Sequence, residues 1–202
     1  MKKVVNICLV LLAFAGLSAC SSGMTTVMKF APDTDPPMDV TRLPSLYVTS
    51  LNVTVPRTLS VSEGTGYLPS ADIVWRGENY GDRYAQIQAI FEDGFGKSTD
   101  EIKGNLPIVV NVEVLRFHAL TERTRYSVGG VHSISFNLEV LNAETDDIIV
   151  PEYPVHANLR GYGGSEALAA DRVGLTQRVR IVEHLSNVIQ SQLTGNAYIP
   201  PK

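Results

Sequence analysis

The chain has 202 residues, of which 44% are apolar and 19% are charged, and its formal charge is −4. That length suits one ordinary domain, and the composition excludes collagen-like, disordered and membrane-embedded chains. Both cysteines, Cys8 and Cys20, lie in the first 20 residues, so the remainder has no thiol for a disulfide, a zinc site or cysteine catalysis. From Cys20 onward there are 15 basic and 21 acidic side chains, which excludes nucleic acid as an electrostatic partner and disfavours anionic lipid.

Residues 1–19 have the pattern of an export signal. Lys2 and Lys3 form a positive start, and Val4 to Gly16 is an apolar run of about 13 residues, shorter than the roughly 20 that a spanning helix needs. The run is followed by Leu17-Ser18-Ala19-Cys20, which resembles the lipobox of bacterial lipoproteins. The alternative is a plain secretory signal that happens to end in Cys.

The resemblance implies that Cys20 is acylated with diacylglycerol and a further acyl chain of the palmitate type, and becomes the new N-terminus. Two acyl chains already hold a protein on a bilayer without a helix. In this family an Asp directly after the cysteine retains the protein at the inner membrane, whereas Ser21 stands here. The resemblance therefore implies the outer membrane, facing the periplasm, and leaves surface display open.

The rest of the chain divides into three parts. Residues 20–44 hold the lipidated cysteine and an extended tether, in which prolines recur without apolar periodicity. Residues 45–195 are predicted to form one domain. Residues 196–202 end in Pro200-Pro201 and are predicted to be a disordered tail.

The apolar spacing within the domain predicts strand, helix, three strands and helix. Alternating apolar residues mark strands over 46–55, 108–118, 133–141 and 148–159, and Pro151 and Pro154 place the last strand at an edge. The first helix begins at Asp82 and ends at Gly94 and Gly96. The second runs from a cap at Ser165 to about residue 193, with Gly174 as a possible break. Alternation indicates one covered sheet face, so we expect a two-layer α+β domain: a four-stranded mixed sheet with two helices packed on one face.

Two patterns resemble catalytic or metal sites and are rejected. His118, His132 and His156 lie toward the same end of neighbouring strands, but alternation turns His156 to the opposite face, and His184 lies on the last helix, away from them. The stretch from Gly163 to Ala167 lacks one glycine of a nucleophile elbow. Its Ser165 shares a helix with the acid and histidine that a triad would need. We predict no metal, no cofactor and no enzyme activity.

The same glycine loop could bind an anion at the start of the last helix, but Glu166 in the first turn argues against a phosphate there.

Two groups of residues are candidates for a partner interface. The first is in a loop and helix start, where aromatic and arginine side chains are typical of interfaces: Trp75, Arg76, Tyr80 and Arg83. The alternative is that Trp75 belongs to the core and Arg76 pairs locally. The second is Leu115 and Phe117, predicted on the outward sheet face if His118 lies across from His132. Either residues 57–76 or a partner would cover this apolar pair.

From Asp72 to Gly77, in the strands leading into Leu141-Asn142-Ala143-Glu144-Thr145, and in the terminal helix, the domain resembles uncharacterised Gram-negative lipoproteins. In layout it is more distantly similar to auxiliary lipoprotein subunits of ABC-type lipid transport systems. The expected function is a membrane-anchored periplasmic lipoprotein that acts as a non-catalytic binding or accessory component of the cell envelope. Its expected partners are the bilayer, through acylated Cys20, and another envelope protein. The alternative is the transporter subunit.

Overall fold

The structure is a computed structural model that describes residues 46–99 and 102–195. The predicted signal, Cys20, the tether and the tail lie outside the described residues. The described part is an α+β fold with six strands and four helices: β1 (Leu46–Thr54), β2 (Ile73–Val74), α1 (Arg83–Thr99), β3 (Leu106–His118), α2 (Glu122–Arg125), β4 (Gly130–Asn142), β5 (Ile148–His156), β6 (Leu159–Gly161), α3 (Gly164–Arg172) and α4 (Gln177–Thr194).

The sheet is four strands wide and mixed, as the alternation predicts. Its order is β1-β3-β4-β5, with β2 following β1 along the same side of β3 and β6 pairing with β4. β1 and β2 are parallel to β3, whereas β4 is antiparallel to β3, β5 and β6. The proline-containing β5 does lie at an edge, where a missing backbone donor costs no ladder bond.

The core lies between the sheet and the two long helices. α1 begins as predicted, because Oδ1 of Asp82 accepts hydrogen bonds from the backbone N–H of Tyr84 (3.0 Å) and Ala85 (3.3 Å). α1 and α4 pack against each other and bury the apolar stripes that their sequences contain, among them Ile87, Phe91, Ile181 and Leu185. No helix among the described residues is long and apolar enough to span a bilayer.

The predicted end of the first helix at Gly94 and Gly96 is wrong, since α1 continues to Thr99. Gly94 serves a different purpose. A Cβ there would lie 3.0 Å from Cβ of Leu185 and 3.3 Å from the carbonyl oxygen of Val182. Glycine therefore allows α1 to approach α4 closely, while Gly96 faces open space.

The last helix is divided in two. The break predicted at Gly174 is confirmed, with φ of +80°, and the side chain of Thr176 caps α4 by accepting from the N–H of Val179. The predicted cap at Ser165 is wrong. Gly163 occupies the N-cap position of α3 without a side-chain hydrogen bond, and Ser165 is exposed in the first turn.

A β-bulge at Leu115 changes the outward pattern of β3. Val114 pairs with Phe136, but Arg116 pairs with Ser135 and Phe117 with Ile134, so one residue of β3 has no partner on β4. The predicted pairing of His118 with His132 is therefore wrong, because His118 lies across from Ser133. The shift turns Phe117 into the core, where its ring meets the ring of Trp75 edge-on at 5.6 Å.

Candidate functional site

One end of the sheet collects the loops of the domain. β1 and β3 run parallel, with Leu46 opposite Leu106 at one end and Ile73 of β2 opposite Phe117 at the other. Because a strand rises about 3.3 Å per residue, the length of β3 separates these two ends of the sheet by about 40 Å. The far end carries the segment between β1 and β2, the segment between β3 and β4, and the loop between β6 and α3.

Hydrogen bonds fix these loops to one another. The Thr121 hydroxyl donates to the carbonyl oxygen of Gly66 (2.8 Å), and the Thr124 hydroxyl donates to that of Tyr67 (2.6 Å). The backbone of Gly163 lies against the loop before β4, where an added Cβ would be 2.3 Å from the amide nitrogen of Gly129. The loops therefore form a stiff frame and not independent flaps.

Four exposed apolar side chains stand on this frame: Tyr67, Leu68, Tyr126 and Val128, with exposed fractions between 49% and 79%. We call these four residues the distal surface. The Arg123 guanidinium lies 4.7 Å from the centre of the Tyr67 ring, a cation–π contact. Aromatic and arginine side chains are enriched in protein interfaces.

An ion cluster of one exposed carboxylate and two buried arginines supports the loop beside this surface. Glu63 accepts from Nε of Arg83 (2.8 Å) and pairs with Nη1 of Arg76. The hydrogen bond from Arg83 holds the pKa of Glu63 below its ordinary value, with further lowering by the charge of Arg76. Both guanidiniums also donate to loop carbonyl oxygens, including those of Gly64 and Asn79. The cluster lines an open cleft of about 490 Å³, but its donors are already used within the protein.

The predicted partner interface is mostly buried. The prediction is wrong for Trp75 and Phe117, because both are fully inside the core. Arg76 and Arg83 are buried in the ion cluster, which agrees with the alternative of local pairing. Leu115 is half-buried at the bulge, and Tyr80 is exposed beside the cleft, so a contact of Tyr80 with a partner stays a prediction.

Residues 57–76 lie against the far end of β3, but neither alternative for the apolar pair applies, because Phe117 points into the core and leaves no pair on the outward face. Nε2 of His118 lies 2.9 Å from the carbonyl oxygen of Pro69, which buries the imidazole under this segment. The distal surface itself was missed from sequence. Its one signal was Leu68, a large apolar residue between glycines and a proline in an otherwise polar loop.

The structure does not assemble a catalytic or metal site from the predicted candidates. His156 is exposed on β5, while His118, His132 and His184 are buried. The placement of His184 away from His132 was wrong: the two are close enough for His184 to contribute to lowering the pKa of His132. Within residues 46–99 and 102–195, no group of three His, Cys, Asp or Glu could hold a metal ion.

Burial, with smaller contributions from the charges of Arg180 and Arg125, lowers the pKa of His132 from 6.5 to about 3. Asp171 of α3, the acid that follows Ser165 on the same predicted helix, pairs with Arg125.

The sheet face opposite the helices is polar. Nδ2 of Asn52 donates to Oδ1 of Asn111 (2.9 Å), and Nδ2 of Asn111 donates to Oε2 of Glu139 (2.9 Å), which forms a ladder across three strands. Asn137 bonds to Glu152 on the same face. The shallow cleft between these side chains measures about 170 Å³. Because the amides and carboxylates satisfy one another, this face is stable in water without an apolar cover.

By its fold, the described part of the chain is a two-layer α+β domain, with helices on one face of a mixed sheet and polar side chains on the other. Within that class, the chain belongs to a family of unknown function (DUF6778), whose model matches residues 46–202. No curated protein matches the chain.

Several solved structures resemble the domain at low identity. Protein XCC0632 from Xanthomonas campestris, of the DUF330 family, is 14% identical with a TM-score of 0.46, covering 76% of this chain and 89% of that chain. A candidate lipoprotein from Caulobacter crescentus CB15 is 12% identical with a TM-score of 0.34, covering 54% and 80%. The hypothetical protein CT253 from Chlamydia trachomatis is 9% identical with a TM-score of 0.36, covering 76% and 100%. At these values the likeness carries no argument about function.

Proposed function

We propose that this protein is a lipoprotein of the outer membrane, anchored through acylated Cys20 and facing the periplasm. Its domain acts without catalysis, by binding another envelope protein. The signal pattern and Leu17-Ser18-Ala19-Cys20 support the anchor. The observation that carries the binding role is the distal surface, which is apolar, exposed and held on hydrogen-bonded loops at the end opposite Leu46.

A preordered surface favours binding because little loop entropy is lost when a partner docks. Tyr67 and Tyr126 supply wide apolar area with few rotatable bonds, and Arg123 keeps the Tyr67 ring in place. Isolated exposed apolar residues are ordinary on protein surfaces. Four of them on the hydrogen-bonded loops of one sheet end are a concentration that favours an interaction site there.

The role of an auxiliary subunit in lipid transport remains the alternative. Enclosing an acyl chain needs a mostly apolar chamber of several hundred Å³. Two clefts of the described residues, about 490 and 470 Å³, are open to solvent, and each is lined by four or more charged side chains. The binding role therefore agrees better with the geometry than lipid carriage inside the domain does.

A pair of matched tyrosines tests the binding site. Tyr67 and Tyr47 are both 51% exposed, and Tyr47 lies at the opposite end of the sheet, across from Pro107. A photo-crosslinking amino acid would replace each in turn in the full chain, in cells. We expect a discrete protein adduct from position 67 and none from position 47. Equal crosslinking at both positions, or none at either, would refute the role of the distal surface.

The anchor is tested separately by Cys20→Ser. We expect this variant to leave the membrane fraction and appear as soluble, non-acylated protein, because the thiol is the acylated group. Unchanged membrane fractionation would contradict anchoring through Cys20. It would leave the crosslinking result to be judged independently.

A further inference from the structure

A small cavity lies where α2, α3, α4 and β4 meet. Its volume is about 10 Å³, and it is lined by Arg125, His132, Tyr162, Ala167, Leu175, Gln177 and Arg180. His132 is 1% exposed and Gln177 is 3% exposed, so the polar lining is well removed from bulk water. A cavity of roughly 10–15 Å³ on this measure accommodates one water molecule.

The lining contains one unsatisfied acceptor. Oε1 of Gln177 is buried and has no hydrogen-bond partner among the described protein groups. Its amide nitrogen lies 3.5 Å from the carbonyl oxygen of Leu120, to which it donates. Reversing the amide would place Oε1 against that carbonyl oxygen, so the orientation with Oε1 free to accept is the favourable one.

The histidine and the two arginines of the lining supply donors, and the Tyr162 hydroxyl can donate or accept. Nδ1 of His132 accepts from the backbone N–H of Leu120 (3.4 Å), so in the neutral ring the proton is on Nε2. The Arg180 guanidinium stacks on Tyr162, 3.3 Å from its ring centre, and donates through Nη2 to the carbonyl oxygen of Arg160. Arg125 pairs with Asp171. Each guanidinium has five N–H groups, more than these contacts use.

From this polarity we propose that the cavity is a binding site for a single ordered water molecule. The water donates a hydrogen bond to Oε1 of Gln177 and accepts from the arginine and histidine donors around it. It thereby connects the start of α4 with β4 and α2, which both lie more than 30 residues earlier in the chain. Buried waters typically make about three such bonds to groups that the protein leaves unsatisfied.

Two other occupants fit less well. A small anion would be attracted by Arg125 and Arg180 but repelled by Oε1 of Gln177, the group that most needs a partner. An apolar group would leave both the acceptor and the donors unsatisfied. Only a ligand that donates and accepts at once satisfies the whole lining, and at this volume that ligand is water.

The test counts long-lived internal waters by ¹⁷O magnetic relaxation dispersion on the purified full-length protein. Gln177→Met removes the acceptor at nearly constant volume, and Gln88→Met makes the same change at an exposed position of α1. We expect the dispersion amplitude to fall by the equivalent of one water in Gln177→Met and to stay unchanged in Gln88→Met. Equal amplitudes in all three proteins would overturn the proposal.

A second measurement uses the unaltered protein, in case Gln177→Met does not fold. We expect nuclear Overhauser transfer from water to the side-chain amide protons of Gln177, with the sign of a long-lived complex. Absence of that transfer counts against the water. A melting temperature that rises with chloride at constant ionic strength, and loses this dependence in Gln177→Glu, would overturn the proposal in favour of an anion.

Discussion

The contact between α1 and α4 makes a sharp prediction for Gly94→Ala. In a helix interior, alanine is favoured over glycine by about 1 kcal/mol. Here the new Cβ would lie 3.0 Å from Cβ of Leu185 and 3.3 Å from the carbonyl oxygen of Val182, and the backbone of α4 fixes both atoms. Overpacking of this kind costs about 1–3 kcal/mol. The steric cost exceeds the helical gain, so we expect a net loss of about 1 kcal/mol in the free energy of unfolding.

Gly96→Ala is the matched control, because it is the same change in the same helix two residues later. A Cβ at this position meets no atom within 4 Å, so only the helical gain of up to about 1 kcal/mol applies. Urea unfolding followed by circular dichroism should place the two variants on opposite sides of the wild type. A difference of about 2 kcal/mol corresponds to melting temperatures roughly 4–8 °C apart. If Gly94→Ala were as stabilising as Gly96→Ala, the close approach of the helices would be wrong.

Three further variants test other parts of the structure. Gly163→Ala should destabilise the fold by at least about 2 kcal/mol in urea unfolding, because its Cβ would overlap the backbone of Gly129; wild-type stability would contradict that loop contact. Glu63→Gln should cost about 1 kcal/mol in the same assay, because two buried guanidiniums lose the charge of a carboxylate that is itself partly exposed, whereas Glu122→Gln, 3.6 Å from one of them and half exposed, should cost less. The pKa of His132 is about 3 in the folded protein, against 6.5 for an ordinary histidine. Between these pH values the unfolded chain binds a proton at this side chain and the folded protein does not. The free energy of unfolding therefore falls by about 1.4 kcal/mol for each pH unit below pH 6 within that range. His132→Asn, which keeps an acceptor for the backbone, should therefore lose less stability between pH 6.5 and pH 4.5 than the wild type, and equal losses would show that His132 is not the titrating group.

The fold was predictable wherever side-chain periodicity reports burial directly. The alternation over β3 and β4 predicts two strands, and Asp82 predicts a helix start. The structure contains both. The role of a glycine is harder to predict, because this residue type ends one helix and allows close packing in another. Gly174 has the left-handed φ of a helix end, whereas Gly94 allows contact with a helix nearly 90 residues later in the chain. Local sequence does not distinguish these two uses.

The bulge at Leu115 explains why the partner interface was predicted in the wrong place. Strict alternation puts Leu115 and Phe117 on the outward face together, and one unpaired residue is enough to reverse the side chains beyond it. No glycine marks the bulge, so the sequence carries no signal for it. The burial of Trp75 follows from the same geometry, because its ring packs on Phe117 and Phe117 points inward.

The positions of Leu46 and the distal surface at opposite ends of the sheet indicate on which side of the domain a partner would bind. A flexible coil of 24 residues, the length predicted for the tether, has a root-mean-square reach of about 27 Å. The sheet separates Leu46 from the distal surface by about 40 Å along β3. The proposed tether joins the domain at the end of Leu46, so we expect the distal surface, at the opposite end of the sheet, to face away from the bilayer. We therefore expect the adduct at position 67 to be a periplasmic or periplasm-facing protein. A lipid adduct at that position would mean that the distal surface lies on the membrane.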